Sequence, residues 1–137
     1  MEIAVLGAGS WGTALTLLLA RNGHDVTLVG RDGEELGSMR ACRENLHYLP
    51  GFVLPEEVKF ALVGEPRPIP EMTVIAVPSG AVRSLCAEVK DPGGLVVIAA
   101  KGLEASTNSL LSNVIKEELP QAEVGVLSGP NLAVEIV

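Results

Sequence analysis

The stretch Glu2-Ile3-Ala4-Val5-Leu6-Gly7-Ala8-Gly9-Ser10-Trp11-Gly12 decides the fold. An apolar run, Ile3–Leu6, meets Gly7 without a spacer, and Gly7, Gly9 and Gly12 then stand in the spacing G-x-G-x-x-G. Leu15, Leu18 and Leu19 follow at helical intervals, so Gly12–Asn22 reads as a helix. Gly23 suits the left-handed position just past a helix end. A second apolar run, Val26–Val29, comes next. Strand, glycine turn, helix and strand in this order form a unit that cradles a pyrophosphate. Gly7 permits the tight turn, Gly9 lets the backbone approach the phosphates, and Gly12 lets helix and strand pack closely. Amides at the helix start face the anion, aided by the helix dipole. Ser10 has two readings, a phosphate contact or an N-cap. Trp11, the one tryptophan, either packs over the loop or touches a cofactor.

Working outward, further apolar runs lie at Val58–Leu62, Thr73–Val77, Leu95–Ala100 and Val124–Leu127. The strongest are continuous rather than alternating, as strands buried on both faces of a parallel sheet require. Helices are expected at Gly33–Asn45, Ala81–Val89 and Asn108–Leu119, the last stopped by Pro120. Pro50–Pro70 is rich in proline and is expected to hold loops and at most one short strand. The alternation predicts a doubly wound, mainly parallel α/β sheet of the Rossmann type, built by residues 1–137 as one dinucleotide-binding domain. Ligands are then expected at the carboxyl ends of the strands.

Composition narrows the function classes. The 137 residues carry 10 Lys+Arg against 17 Asp+Glu, a net charge of −7, which argues against nucleic acid or an anionic membrane as partner. Hydrophobic residues at 47 % and charged residues at 20 % fit a globular chain. No apolar run approaches the ~20 residues of a membrane span, and the N-terminus has no signal-peptide core. The expected compartment is the cytoplasm. Cys42 and Cys86 match no metal or redox spacing and read as reduced thiols; no metal site is expected.

Strand ends supply the candidate ligand contacts. After the second strand the chain reads Val29-Gly30-Arg31-Asp32. An acidic residue commonly accepts the ribose hydroxyls there; here Gly30 takes that place and Arg31 follows. An arginine can pair with a 2′-phosphate, so NADP is favoured or at least tolerated, and Asp32 keeps NAD in play. Val77-Pro78-Ser79 ends the fourth strand and Lys101-Gly102 the fifth. Lys101 is placed to bind a substrate oxygen or phosphate, or to polarise a carbonyl. Ser128-Gly129-Pro130-Asn131 ends the sixth, where Asn131 caps the next helix, touches substrate, or does both. His24 and His47 read as solvated surface residues.

Five segments together resemble one family: GAGSWGTAL from residue 7, NLHYLPG at 45–51, VPS at 77–79, KGLE at 101–104 and SGPNLAVEI at 128–136. They resemble the bacterial NAD(P)-dependent glycerol-3-phosphate dehydrogenases over the whole chain. The resemblance implies hydride transfer between dihydroxyacetone phosphate and sn-glycerol 3-phosphate, feeding phospholipid synthesis. It implies cofactor contacts from Gly7, Gly9, Ser10, Trp11, Gly12, Arg31, Tyr48, Lys101 and Ala133, and substrate contacts from Lys101, Gly129 and Asn131. It also implies a second, helical domain carrying the catalytic lysine, an aspartate and a phosphate-gripping arginine. No residue of this chain matches these, so no catalytic residue is assigned here and the chain alone is expected to be inactive. The ending Val134-Glu135-Ile136-Val137 reads as a cut inside a helix. An apolar face left for a docking domain would let the chain associate as a homodimer. Two other readings compete: a non-catalytic module sensing the nicotinamide pool, and another two-domain dehydrogenase acting on a sugar acid or keto acid.

Overall fold

In the strand Glu2–Leu6, Ile3 and Val5 pack on one side and Ala4 and Leu6 on the other, each 2 % exposed or less. That burial explains the continuous apolar run, since neither face of this strand meets water. The computed structural model describes residues 1–89 and 91–137. In chain order the elements are β1 (Glu2–Leu6), α1 (Ser10–Arg21), β2 (Asp25–Gly30), α2 (Gly33–Cys42), β3 (Glu44–Asn45), β4 (Leu49–Val53), β5 (Lys59–Leu62), β6 (Met72–Ile75), α3 (Val82–Glu88), β7 (Leu95–Ile98), β8 (Leu103–Glu104), β9 (Ser109–Leu110), α4 (Leu111–Glu118), β10 (Glu123–Val126) and α5 (Ala133–Ile136). A 3-10 turn, Ser79–Ala81, leads into α3.

Six strands form one sheet in the order β10-β7-β6-β1-β2-β5, every pair parallel. Counting only these strands, the chain enters the sheet centrally, winds to one edge, returns and winds to the other. This is the doubly wound order 3-2-1-4-5-6, with its switch point between β1 and β6. Leu15 and Leu17 of α1 and Leu36 and Met39 of α2 cover one face. Val82 and Leu85 of α3 with Val114 and Ile115 of α4 cover the other. Burying each such side chain contributes roughly 1.5–3 kcal/mol, so both layers are needed to hold the sheet.

The register brings the strand ends level: Leu6 lies beside Val29 and Ile75, and Ile75 beside Ile98. The ladder continues one step further through Gly7 N–H to Val29 O at 2.8 Å and Ala76 N–H to Leu6 O at 2.8 Å. The segments starting at Gly7, Gly30, Ala76, Ala99 and Leu127 therefore leave from one edge of the sheet.

Three expectations are corrected. The helix starting at Gly33 ends at Cys42 rather than Asn45. Arg43 stops it in the left-handed region at φ 56°, and its guanidinium donates to the carbonyls of Leu54, Pro55 and Val58 while lying 5.0 Å from the Phe60 ring centroid. Pro50–Pro70 does not stop at one short strand: it holds β5 and most of β4, which pairs antiparallel with β3. Pro50 is tolerated because a two-stranded ribbon leaves one side of β4 unpaired. The helix expected from Asn108 begins at Leu111, because Ser109 and Leu110 pair with Glu104 and Leu103. Gly23 does take the left-handed position, φ 81°, with its N–H donating to Ala20 O.

Candidate dinucleotide site

Gly7 turns the chain at φ 119°, and a Cβ there would stand 2.5 Å from Ala76 O. At Gly12 a Cβ would stand 1.8 Å from Gly7 O, so the first turn of α1 rests directly on the glycine loop. Gly9 differs: a Cβ there would meet nothing within 4 Å. Gly9 is also the N-cap of α1, with extended backbone and no side-chain cap. Among the described residues the amides of the first turn thus have no side-chain cap and lie beside open space, the arrangement a phosphate needs. Ser10 does not cap; it is the exposed first residue of the helix, because the loop delivers Gly9 to the cap position.

A cavity of about 220 Å³ lies against this loop. It is lined by Gly7–Gly9, by Val29–Asp32 at the end of β2, by Ala76–Pro78 at the end of β6, and by Glu35, Tyr48, Val63 and Leu85. It sits at the switch point, on the carboxyl edge of the sheet. Arg31 lines it, with Nη2 donating to Glu88 Oε1 at 2.8 Å. Asp32 Oδ1 accepts the amides of Glu34 and Glu35 at 2.8 and 3.1 Å, capping α2. Gly30 is crowded: a Cβ there would lie 3.1 Å from Leu36 Cδ2 and 3.3 Å from Ala8 Cβ. An acidic side chain is therefore hard to seat at that strand end, and the polar groups come from Arg31 and Asp32.

Tyr48 is exposed on the cavity wall, its ring edge-on to His47 with centroids 4.3 Å apart. Its position depends on Asn45, whose individual role sequence reading missed. Asn45 is 2 % exposed. Its Nδ2 donates to Ala8 O at 2.9 Å and Thr13 Oγ1 at 2.8 Å, and its Oδ1 accepts the Tyr48 amide at 3.1 Å. A polar residue just after a helix end was the available signal, but its partners lie 37 and 32 residues away. Trp11 packs against the core, and its indole Nε1 is buried without a hydrogen-bond partner among the described residues. A buried donor left unmatched within the protein is costly.

The remaining candidates do not line this cavity. Lys101 follows β7, is exposed, and forms no ion pair among the described residues. Its loop abuts the 3-10 turn Ser79–Ala81, since a Cβ on Gly102 would lie 3.7 Å from Ser79 Oγ. Glu104 anchors that loop. Its carboxylate accepts from Arg83 Nε and Nη2 at 2.7 and 2.9 Å and from Thr107 Oγ1 at 2.6 Å. These hydrogen bonds hold the buried carboxyl down at about 2. Arg83 also pairs with Glu117 and Glu118 of α4, and the three carboxylates raise its own pKa. Gly129, Asn131 and Ala133 follow β10. Asn131 does not cap α5, whose N-cap is Leu132 without a side-chain bond; a Cβ on Gly129 would instead lie 3.1 Å from Asn131 Nδ2. Helix α5 lies on α1, and Arg21 donates to Val137 O at 2.6 Å.

Residues 2–137 match the family described as NAD-dependent glycerol-3-phosphate dehydrogenase N-terminus. The chain belongs to this family. It is 46 % identical over 138 residues to a glycerol-3-phosphate dehydrogenase [NAD(P)+] of Desulfitobacterium hafniense, and 44 % identical over 137 residues to one of Pseudomonas fluorescens. Each match covers 98 % of this chain and 39 % of the relative. The crystal structure of a glycerol-3-phosphate dehydrogenase from Coxiella burnetii superposes with a TM-score of 0.87 at 35 % identity, covering 98 % of this chain and 42 % of that one. The chain thus spans about 39 % of the length of these curated relatives. The family is NAD-dependent, and the doubly wound domain with its glycine loop is the part this chain shares with it. No helix among the described residues is long and apolar enough to cross a membrane.

Proposed function

We propose that this chain binds NAD or NADP as the cofactor portion of a glycerol-3-phosphate dehydrogenase. The observation that carries the reading is the bare N-terminus of α1 beside open space at Gly9, in a chain matched by this family over residues 2–137. In this reading the α1 amides hold the pyrophosphate, Gly9 admits it, Arg31 and Asp32 meet the adenosine-side ribose, and Tyr48 flanks it. Ser10, Trp11 and Ala133 complete the cofactor contacts. When bound, the nicotinamide supplies the hydride that reduces the substrate carbonyl.

The substrate class is a phosphorylated three-carbon ketone or alcohol, dihydroxyacetone phosphate or sn-glycerol 3-phosphate. Lys101 holds the substrate oxygens through its ammonium, with Gly129 and Asn131 beside it. Residues 1–137 alone are proposed to bind nucleotide without turnover. The assembled activity supplies glycerophospholipid synthesis in the cytoplasm, and a homodimer is the proposed association.

Titration of NADH and NADPH, with Trp11 fluorescence and calorimetry as readouts, tests the cofactor reading. Saturable binding is expected. A folded chain, by circular dichroism, that binds neither nucleotide overturns it. Dihydroxyacetone phosphate-dependent oxidation of NADH by the chain alone would overturn the proposed lack of turnover.

A further inference from the structure

We infer that Glu88 sets how this chain ranks the two nicotinamide dinucleotides, by occupying the guanidinium that would otherwise receive a 2′-phosphate. The inference rests on the proposed cofactor reading and names a selectivity residue within it. Arg31 and Glu88 are 57 residues apart, one following β2 and the other ending the helix that joins β6 and β7, in the two halves of the sheet. Arg31 follows β2, while Glu88 is the last residue of α3; Leu85, one turn earlier in α3, lines the cavity with Arg31. Arg31 Nη2 meets Glu88 Oε1 at 2.8 Å, with side-chain exposures of 54 % and 48 %.

The charge around the pair matters more than the pair itself. Among the described residues, Arg31 is the one cation lining the cavity; Asp32 and Glu35 are its other charged residues. With Arg31 neutralised by Glu88, Asp32 and Glu35 leave the described lining of this end of the cavity net negative. A 2′-phosphate, close to a dianion, must displace Glu88 from Arg31 or accept a third carboxylate as neighbour. A free 2′-hydroxyl requires neither. It has an acceptor available, because among the described residues Asp32 caps α2 through Oδ1 and keeps its second oxygen.

Glu88 is also poorly placed for its own helix. A carboxylate at a helix C-terminus faces the negative end of the dipole. The helix therefore gives no reason for an acid here, and replacing it should not harm the fold. Among the described residues, Arg31 is the ion-pair partner of this carboxylate.

The test is calorimetric titration of NADH and NADPH into the wild-type chain, Glu88→Gln and Glu88→Ala at one fixed ionic strength. Both variants should bind NADPH roughly three- to tenfold more tightly, the size expected on removing one charge near an exposed dianion. NADH affinity should stay within about twofold, since no charge sits at the 2′ position. NADPH binding that is unchanged or weaker in both variants overturns the inference, as would an equal shift for both nucleotides. If the folded wild type binds neither nucleotide, the cofactor reading itself falls; if both bind and the ratio ignores Glu88, only the selectivity role falls.

Discussion

Asn45 donates its carboxamide N–H to the carbonyl of Ala8 at 2.9 Å, inside the glycine loop. The same nitrogen reaches Thr13 in the second turn of α1, and the carboxamide oxygen takes the Tyr48 amide. One buried side chain thus ties the glycine loop, its helix and the aromatic wall of the cavity. Replacing Asn45 by Ala leaves the Ala8 carbonyl and the Thr13 hydroxyl without this partner, at a cost of about 1–3 kcal/mol. Chemical denaturation should show that loss. NADH affinity should fall with it by roughly tenfold, because the loop loses its fixed geometry. Full affinity in a destabilised but folded variant would separate stability from loop position.

The glycines of the loop should divide by role. Gly12→Ala forces a Cβ to 1.8 Å from the Gly7 carbonyl, so the helix must move, at about 3 kcal/mol or more. Gly9→Ala meets nothing within 4 Å and has φ −77°, so it should cost under about 1 kcal/mol. Its methyl nevertheless enters the space proposed for the pyrophosphate. The expected pattern is a melting temperature near wild type for Gly9→Ala with nucleotide binding lost, and a large melting loss for Gly12→Ala. Undiminished NADH binding by Gly9→Ala would remove the pyrophosphate from this loop.

Glu104 makes stability sensitive to acid. Its carboxyl is held at about 2 in the fold, against an ordinary value of 4.5. A group depressed on folding stabilises fully above its unfolded pKa and loses that contribution as pH falls toward the folded one. Melting temperature should therefore drop as pH is lowered from 4.5 toward 2. Glu104→Gln should start several degrees lower at neutral pH and show a shallower acid slope. Parallel acid slopes for the two proteins would mean that other carboxylates carry the effect.

The two thiols should react unequally. Cys86 is 2 % exposed, and burial pushes its thiol up to about 11, so it stays protonated at neutral pH. Cys42 is exposed. A disulfide reagent at pH 7 should label one thiol quickly in the native chain and the second only after denaturant is added. Rapid labelling of both would mean that the α3 face opens readily.

Much of this architecture was legible in local sequence. The run Ile3–Leu6, the glycine spacing and the recurring apolar runs sufficed for six parallel strands, because the strongest runs encode burial on both faces while the edge strand Glu123–Val126 is only half-buried. The site was legible in part. Gly7, Gly9, Arg31 and Tyr48 line one cavity, whereas Lys101, Gly129 and Asn131 lie on later loops and Ala133 opens α5. The end of α2 was misjudged because Arg43 takes a left-handed conformation supported by carbonyls of residues 54–58. The hairpin joining Leu103–Glu104 to Ser109–Leu110 was missed because its anchor, Arg83, comes from another helix.

What the amino-acid order determined by itself was the periodic burial and the turn chemistry, since both depend on neighbours within a few residues. Which polar groups meet was decided only by the folded chain. Asn45 finds Ala8, Glu104 finds Arg83, and Glu88 finds Arg31 because the doubly wound sheet brings their elements together. A hydrogen bond acts over about 3 Å, and no local pattern records a partner that only a crossover connection can deliver.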